Sequence, residues 1–262
     1  MLTGYFDEGV REDLFTVICG FASTVDQWDS FEVDWTLFLA SYGVPYFHME
    51  EFAHSIGPFK KWKGSEAIRQ KFISEAATVI HERVKAGFIF YVRHAAFKTV
   101  NSLFDVSSVW GSPYGLAGRC CIEIADDWRK GIFGSEEMKY IFEDGGPDKG
   151  GLIKSMTSIK LNFAIPSFEP GRDWKRSQQW PEGRKGLVQL QAADYLAYES
   201  RKAMADRLEK HIPATRKSLA ALLRVPVRMA AIQEMRFAKF CSANSIKKRL
   251  DPNAEIYTKF EA

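Results

Sequence analysis

Cysteine is scarce. The 262 residues hold four, Cys19, Cys120, Cys121 and Cys241, two of them adjacent and none in a Cys-x-x-Cys pair. That spacing excludes a zinc ribbon and a disulfide framework. It leaves buried, reduced thiols, as a reducing compartment would keep them. Long apolar runs are missing too: none approaches the ~18 residues that a membrane-spanning helix needs. Acid at Asp7 and Glu8, close behind Met1, does not suit a cleaved leader. The expectation is a soluble cytoplasmic protein with no membrane contact. Internal repeats, low-complexity tracts and flexible linkers are absent, which leaves one elaborated domain or a domain with a small appendage. Net charge is small, +3; it permits a polyanionic partner without requiring one.

What is present is ample core material, 46% hydrophobic and 14% aromatic, enough to bury a sizeable interior. Gly4 to Phe6 reads as a short strand ending at Asp7-Glu8-Gly9, a turn signal, and Leu14 to Ala22 as the second strand of a hairpin. A helix to about Tyr42 follows, with Trp28, Phe31, Trp35 and Phe38 as its inward stripe. Val44 to Phe52 reads as a loop or short strand, and 57–64 as surface loop. Ser65 to Lys85 is expected to be a helix, facing Phe72, Ala76, Val79 and Ile80 inward. A third strand is expected over Phe88 to Ala96, a helix over Gly115 to Arg129, a fourth strand over Lys139 to Glu143 and a fifth over Ile159 to Ile165. Leu187 to about Leu208 reads as a helix, and Ala214 to Ala243 as a helical tail interrupted at Pro226. Strands mixed with helices in this order imply an α/β sheet covered by helices.

The chemistry lies with acids at strand ends and on helices. Asp7-Glu8 follows the opening strand, where α/β proteins place ligands, although the same residues also make an acidic hairpin turn. His48-Met49-Glu50-Glu51 gathers an imidazole and two carboxylates that could ligate metal or move protons, or could equally form a solvated loop. Glu143-Asp144 closes an apolar strand before two glycines, which let a ligand approach the backbone. Asp194 sits on a helix beside Ala192, Ala193 and Ala197, so it should press close to a sheet; burying a carboxylate there is costly unless it is paired or metal-bound. Glu123 is a lesser candidate, and Asp126 and Asp127 read as solvated. If two or three of these acids meet at one sheet end, cations must offset their repulsion. Oxygen ligands suit Mg2+ or Mn2+, and such ions activate water against a phosphodiester.

These motifs resemble the family catalogued as domain of unknown function 3800. The family opens with a strand ending Asp-Glu-Ser-Gly or a near variant, here Tyr5-Phe6-Asp7-Glu8-Gly9 without the Ser. Its Phe-His-x-x-Asp/Glu-Phe segment is Phe47-His48-Met49-Glu50-Glu51-Phe52. Its Phe-Glu-Asp-Gly is Phe142-Glu143-Asp144-Gly145, and its Leu-Gln-x-Ala-Asp is Leu190-Gln191-Ala192-Ala193-Asp194. The resemblance runs from about Gly4 to Glu199 and extends to the ribonuclease H-like superfamily. It implies a mixed five-stranded sheet with helices on both faces over 1–210; the helical pattern that follows makes 211–262 the expected C-terminal helical extension packed on the same domain. It further implies metal ligands at Asp7, Glu143 and Asp194. Glu51, with Glu50 as its rival, is the expected further ligand or base, and His48 the expected proton shuttle or orienting group.

Basic residues interleaved with aromatics offer phosphate and base contacts. Lys60, Lys61 and Lys63 surround Trp62; Arg172, Lys175, Arg176, Trp180 and Arg184 repeat the theme before the Asp194 helix. Lys61, Trp62, Arg176 and Arg184 are the expected substrate contacts, although an ordinary exposed loop would look the same. The expectation that follows is a Mg2+- or Mn2+-dependent nuclease acting on DNA or RNA. The alternative is a catalytically silent module of the same fold that binds nucleic acid or protein. The apolar stretch Leu219 to Phe240 would cover either the core or a second copy of the chain in a homodimer.

Overall fold

The computed structural model describes residues 1–158, 164–173, 185–211, 216–232, 234–243 and 246. Six strands form one mixed sheet: β1 (Leu2–Arg11), β2 (Phe15–Thr24), β3 (Ala86–Arg93), β4 (Met138–Glu143), β5 (Ser167–Glu169) and β6 (Val227–Ala231), in the spatial order β5-β4-β1-β2-β3-β6. β1, β2 and β3 run antiparallel to their sequence neighbours, whereas β4 is parallel to β1, β5 to β4 and β6 to β3. Ten helices pack around it among the described residues: α1 (Val25–Ser41), α2 (Met49–His54), α3 (Glu66–Arg83), α4 (His94–Leu103), α5 (Val106–Trp110), α6 (Pro113–Phe133), α7 (Lys149–Ser158), α8 (Val188–Glu209), α9 (Lys217–Leu222) and α10 (Glu234–Ala243).

Both faces of the sheet are covered, so its central strand reads as a continuous apolar run. β2 is buried along nearly its whole length. Its Phe15, Val17, Cys19 and Phe21 join one core with α1, α3 and α8, and its Ile18 and Ala22 join a second core with α4 and α6. The alternation follows from the two-residue period of a strand. The α1 stripe Trp28, Phe31, Trp35 and Phe38 is buried in the first core.

The structure differs from the sequence reading in six places. The third strand ends at Arg93, and His94 to Ala96 begin α4. β1 does not stop at Asp7: Gly9, Val10 and Arg11 keep pairing with Val17, Thr16 and Phe15, so the acids lie within a strand and the turn comes at 12–14, where Asp13 has φ 62°. Met49 to His54 is a helix. Gly57–Trp62 is a 3-10 turn whose Phe59 and Trp62 are buried, because Tyr42, Phe52 and Phe72 supply an aromatic lining for them. The strand beside β4 is Ser167–Glu169, while 159–163 of the expected fifth strand lies outside the described residues. The segment after 211 is not wholly helical: Val227–Ala231 adds a sixth strand beside β3. Its apolar residues Leu219, Leu222, Val225 and Phe237 cover this chain's own cores. No helix among the described residues is long and apolar enough to cross a membrane.

Candidate functional site

Phe6 and Phe142 are the last paired residues of β1 and β4. Asp7 and Glu143 therefore follow them side by side, at the point where β4 ends and β1 continues with β2 alone. Strand alternation keeps Asp7 on the Tyr5 face, toward α8, and Glu8 on the opposite face. α8 lies close above because its sheet side carries Ala192, Ala193 and Ala197, all buried. Gly9 completes that fit: a Cβ there would meet Arg201 Cβ at 2.8 Å and the Ala197 carbonyl at 3.0 Å. Asp194, Tyr198 and Arg201 recur at helical spacing on α8 and share one face. Together with Asp7, Glu8, His48, Glu50, Glu143 and the 144–146 loop they line a cavity of about 360 Å³.

Buried hydrogen bonds hold the pieces in register. The Met49 amide donates to Asp194 Oδ2 at 2.6 Å. Gln191 Oε1 accepts from Trp35 Nε1 and from the Phe47 amide, both at 2.9 Å, and its Nε2 donates to the Gly171 carbonyl at 2.9 Å. One side chain thereby ties α8 to α1, to the segment carrying His48 and to the loop beside Glu143. Its three partners lie far away in sequence, which is why sequence reasoning assigned it no role.

The carboxylates repel one another in a poorly hydrated space. Burial pushes Asp7 well above the usual carboxylate range, and Glu143, Glu8 and Asp194 push it further. Burial also raises Glu143 to about 8, with Asp194 and Glu8 adding to it and the Gly171 amide and Arg172 opposing. Asp194 is raised to about 6 by burial, tempered by the His48 imidazole and the Met49 amide. Glu8 is raised by burial as well. Asp144 is different: Lys149 holds it in an ion pair, so of the two adjacent acids Glu143 is the one whose charge faces Asp7 and Asp194.

Several expected residues stand elsewhere. Glu51 does not line the cavity. Its Oε1 accepts from Arg172 Nη1 at 2.7 Å and its Oε2 from the Tyr46 hydroxyl at 2.8 Å, and Gly57, at φ +55°, packs against that Oε2. The neighbouring Glu50 faces the cavity and takes Arg201 Nη2 at 3.1 Å. His48 is at the cavity, with Nδ1 buried and lacking a hydrogen-bond partner among the described residues; Glu51 Oε1 lies 3.7 Å away, too far for a hydrogen bond. Trp62 presents no stacking face, being 4% exposed inside an aromatic cluster, and Lys61 caps α1 by donating to the Tyr42 and Gly43 carbonyls. Burial of Trp62 corrects its reading as a stacking contact; Lys61 is exposed, with its ammonium engaged at the end of α1. Arg176 and Arg184 lie outside the described residues. Glu123 pairs with Arg119, and Asp126 with Arg129 and Lys130, so neither belongs to the cavity. Glu8, Glu50, Tyr198 and Arg201 complete the lining; for the last two, their spacing from Asp194 along α8 was the available signal.

No family model matches the chain. The resemblance to the domain of unknown function 3800 family, carried by short motifs, gains no support from that comparison. No curated protein matches either. Among solved structures the chain is similar to the crystal structure of Bst-RNase HIII in complex with Mn2+, with a TM-score of 0.39 and 8% identity, over 86% of this chain and 70% of that one. A likeness of that degree decides neither fold nor chemistry.

The donor set itself can be tested against a metal ion. Asp7, Glu8, Glu143 and Asp194 offer only oxygen, the donor a hard divalent cation takes. Glu8 Oε2 is buried with no hydrogen-bond partner among the described residues, and burial raises all four acids above the usual carboxylate range, a cost of ionisation that a bound cation would relieve. Yet among the described residues no three His, Cys, Asp or Glu side chains already form a metal-holding cluster. In chemistry the donors fit Mg2+ or Mn2+.

Proposed function

We propose that this chain is a ribonuclease H-like, metal-dependent nuclease that hydrolyses phosphodiester bonds of nucleic acid in the carboxylate cavity. The observation that carries the reading is the meeting of Asp7, Glu143 and Asp194, from the first strand, the fourth strand and α8, around one cavity at one sheet end, each with its acidity weakened chiefly by burial. A mixed sheet with acids in those three places supports the superfamily reading. Asp7, Glu143 and Asp194 would hold Mg2+ or Mn2+, with Glu8 as a further oxygen donor. Such an ion, when bound, polarises a phosphoryl oxygen and lowers the pKa of water.

The chain's own residues supply the rest. Gln191 and the Met49 amide fix α8 and Asp194 relative to α1 and the segment carrying His48. His48 offers the cavity an imidazole, the side chain suited to exchanging protons, and its Nδ1 has no hydrogen-bond partner among the described residues. Glu51 acts at a distance by holding Arg172, whose charge favours ionised Asp194 and Glu143.

The test is cleavage of labelled DNA and RNA oligonucleotides with Mg2+, with Mn2+ and with chelator. Activity should require the ion and fall in Asp7→Asn and Asp194→Asn by more than the ~10–100-fold that follows loss of a group behind a metal ligand. Equal rates in parent and both variants would remove these residues from the site. Among the described residues no ready-made metal cluster is formed, which favours one second reading, a silent module that binds nucleic acid. Affinity falling steeply with salt, without turnover in either metal, would select it.

A further inference from the structure

The cavity has an entrance problem. A phosphodiester strand approaching Asp7, Glu8, Glu143 and Asp194 meets only acidic side chains, none of which can attract a phosphate. Cations bound by those acids would neutralise the interior, and the rim still needs a group that holds phosphate. Among the described lining residues one guanidinium or ammonium is present, that of Arg201.

Arg201 is built for exchange. It stands on the same face of α8 as Asp194 and Tyr198, and its guanidinium lies over the Tyr198 ring, 5.1 Å from the centroid. That contact holds the planar group from one side. Its Nη2 donates to Glu50 Oε2 at 3.1 Å, and a guanidinium has five N–H donors in all. Glu50 is a weak keeper: its side chain is 49% exposed and it also contacts His54 Nε2 at 2.9 Å. Ion pairs that exposed contribute little. Arg172 is the counter-example. It lies outside the cavity lining and is held by Glu51, 17% exposed, and stacked on Tyr46. The consecutive glutamates of α2 thus hold two arginines differently, one locked and one releasable.

We propose that Arg201 is the phosphate-binding residue of the cavity: on binding a nucleic-acid strand its guanidinium exchanges Glu50 for a phosphate oxygen beside the scissile bond, with Glu50 as the internal competitor. This rests on the nuclease reading above. Guanidinium and phosphate match in geometry and charge, and the Tyr198 stack restricts the guanidinium to a few orientations in both states.

The experiment measures binding of a short fluorescein-labelled single strand, as DNA and as RNA, by anisotropy across a salt series, with Ca2+ in place of Mg2+. Arg201→Met should weaken binding about tenfold or more and reduce the log–log salt slope by about one. Glu50→Gln should tighten binding about two- to fivefold, the range of an exposed ion pair. In cleavage assays both effects should fall on KM more than on kcat. Arg201→Met that binds like the parent with an unchanged slope, or Glu50→Gln that binds no tighter, overturns the proposal and leaves the nuclease reading standing. If Arg201→Met fails to fold, Arg201→Lys and Glu50→Gln decide: Lys keeps the salt slope but weakens binding, since it cannot present a planar fork. A parent that takes up metal ions but binds neither strand refutes the nucleic-acid reading and this proposal together.

Discussion

Replacing Glu143 by Gln should make the ion-free protein more stable at about pH 8, an unusual result for a buried residue whose partners stay in place. In the folded chain Glu143 is raised from 4.5 to about 8 by burial and by Asp194 and Glu8. The native state therefore keeps a proton that the unfolded state releases. Stability from this group is fully present below the unfolded value and is lost as pH rises through about 8. Each unit is worth about 1.4 kcal/mol, so the whole shift corresponds to on the order of 5 kcal/mol. Burial is the largest cause and Asp194 and Glu8 add to it, and because the acids share the protonation cost one substitution should recover about half, ~2 kcal/mol, or about 4–8 °C in Tm for a chain of this size. A Gln side-chain oxygen can still accept from the Gly171 amide. The assay is thermal unfolding with chelator at about pH 5 and about pH 8. Saturating Mg2+ or Mn2+ should then reverse the order: the parent gains about 2.7 kcal/mol at a hundredfold excess over Kd, and the variant, short of one ligand, gains less. A variant less stable than its parent at the higher pH, with the same pH slope and the same response to metal, would refute both the mutual repulsion and the ligand assignment.

Two further outcomes test the scaffold around the site. Gln191→Leu strands the Trp35 indole and the Phe47 amide inside the protein; at about 1–3 kcal/mol for each unsatisfied buried group it should lower Tm by more than a truncation at the surface and weaken the metal-induced rise in Tm. Trp62→Ala should cost about 3–5 kcal/mol of stability in urea unfolding while leaving oligonucleotide affinity unchanged, because the ring is enclosed by Tyr42, Phe59 and Phe72.

The elements that could be read along the chain are those with a strong period. The aromatic stripe of α1, the apolar run of β2 and the small-residue side of α8 all lie where their spacing put them. The acids at Asp7, Glu143 and Asp194 stood out because each interrupts an apolar or small-residue pattern. Boundaries were harder. β1 runs past Asp7 because β2 supplies partners for Gly9 to Arg11, and no local signal reports a partner strand. Val227–Ala231 is a strand because β3 has an open edge to pair with; its exposed Arg228 and Met229 give it no clean alternation.

Sequence alone therefore determined which side chains could be buried and which carboxylates had no comfortable local setting, since hydrophobic period and charge are properties of a short stretch. Tertiary structure decided which acids share a cavity, that Glu50 faces it while Glu51 holds Arg172 outside, that Trp62 is core, and that Arg201 reaches the rim. The physical reason is distance: hydrogen bonds, ion pairs and charge repulsion act over a few ångströms, and residues far apart along the chain acquire that proximity only when the sheet and α8 close over one another.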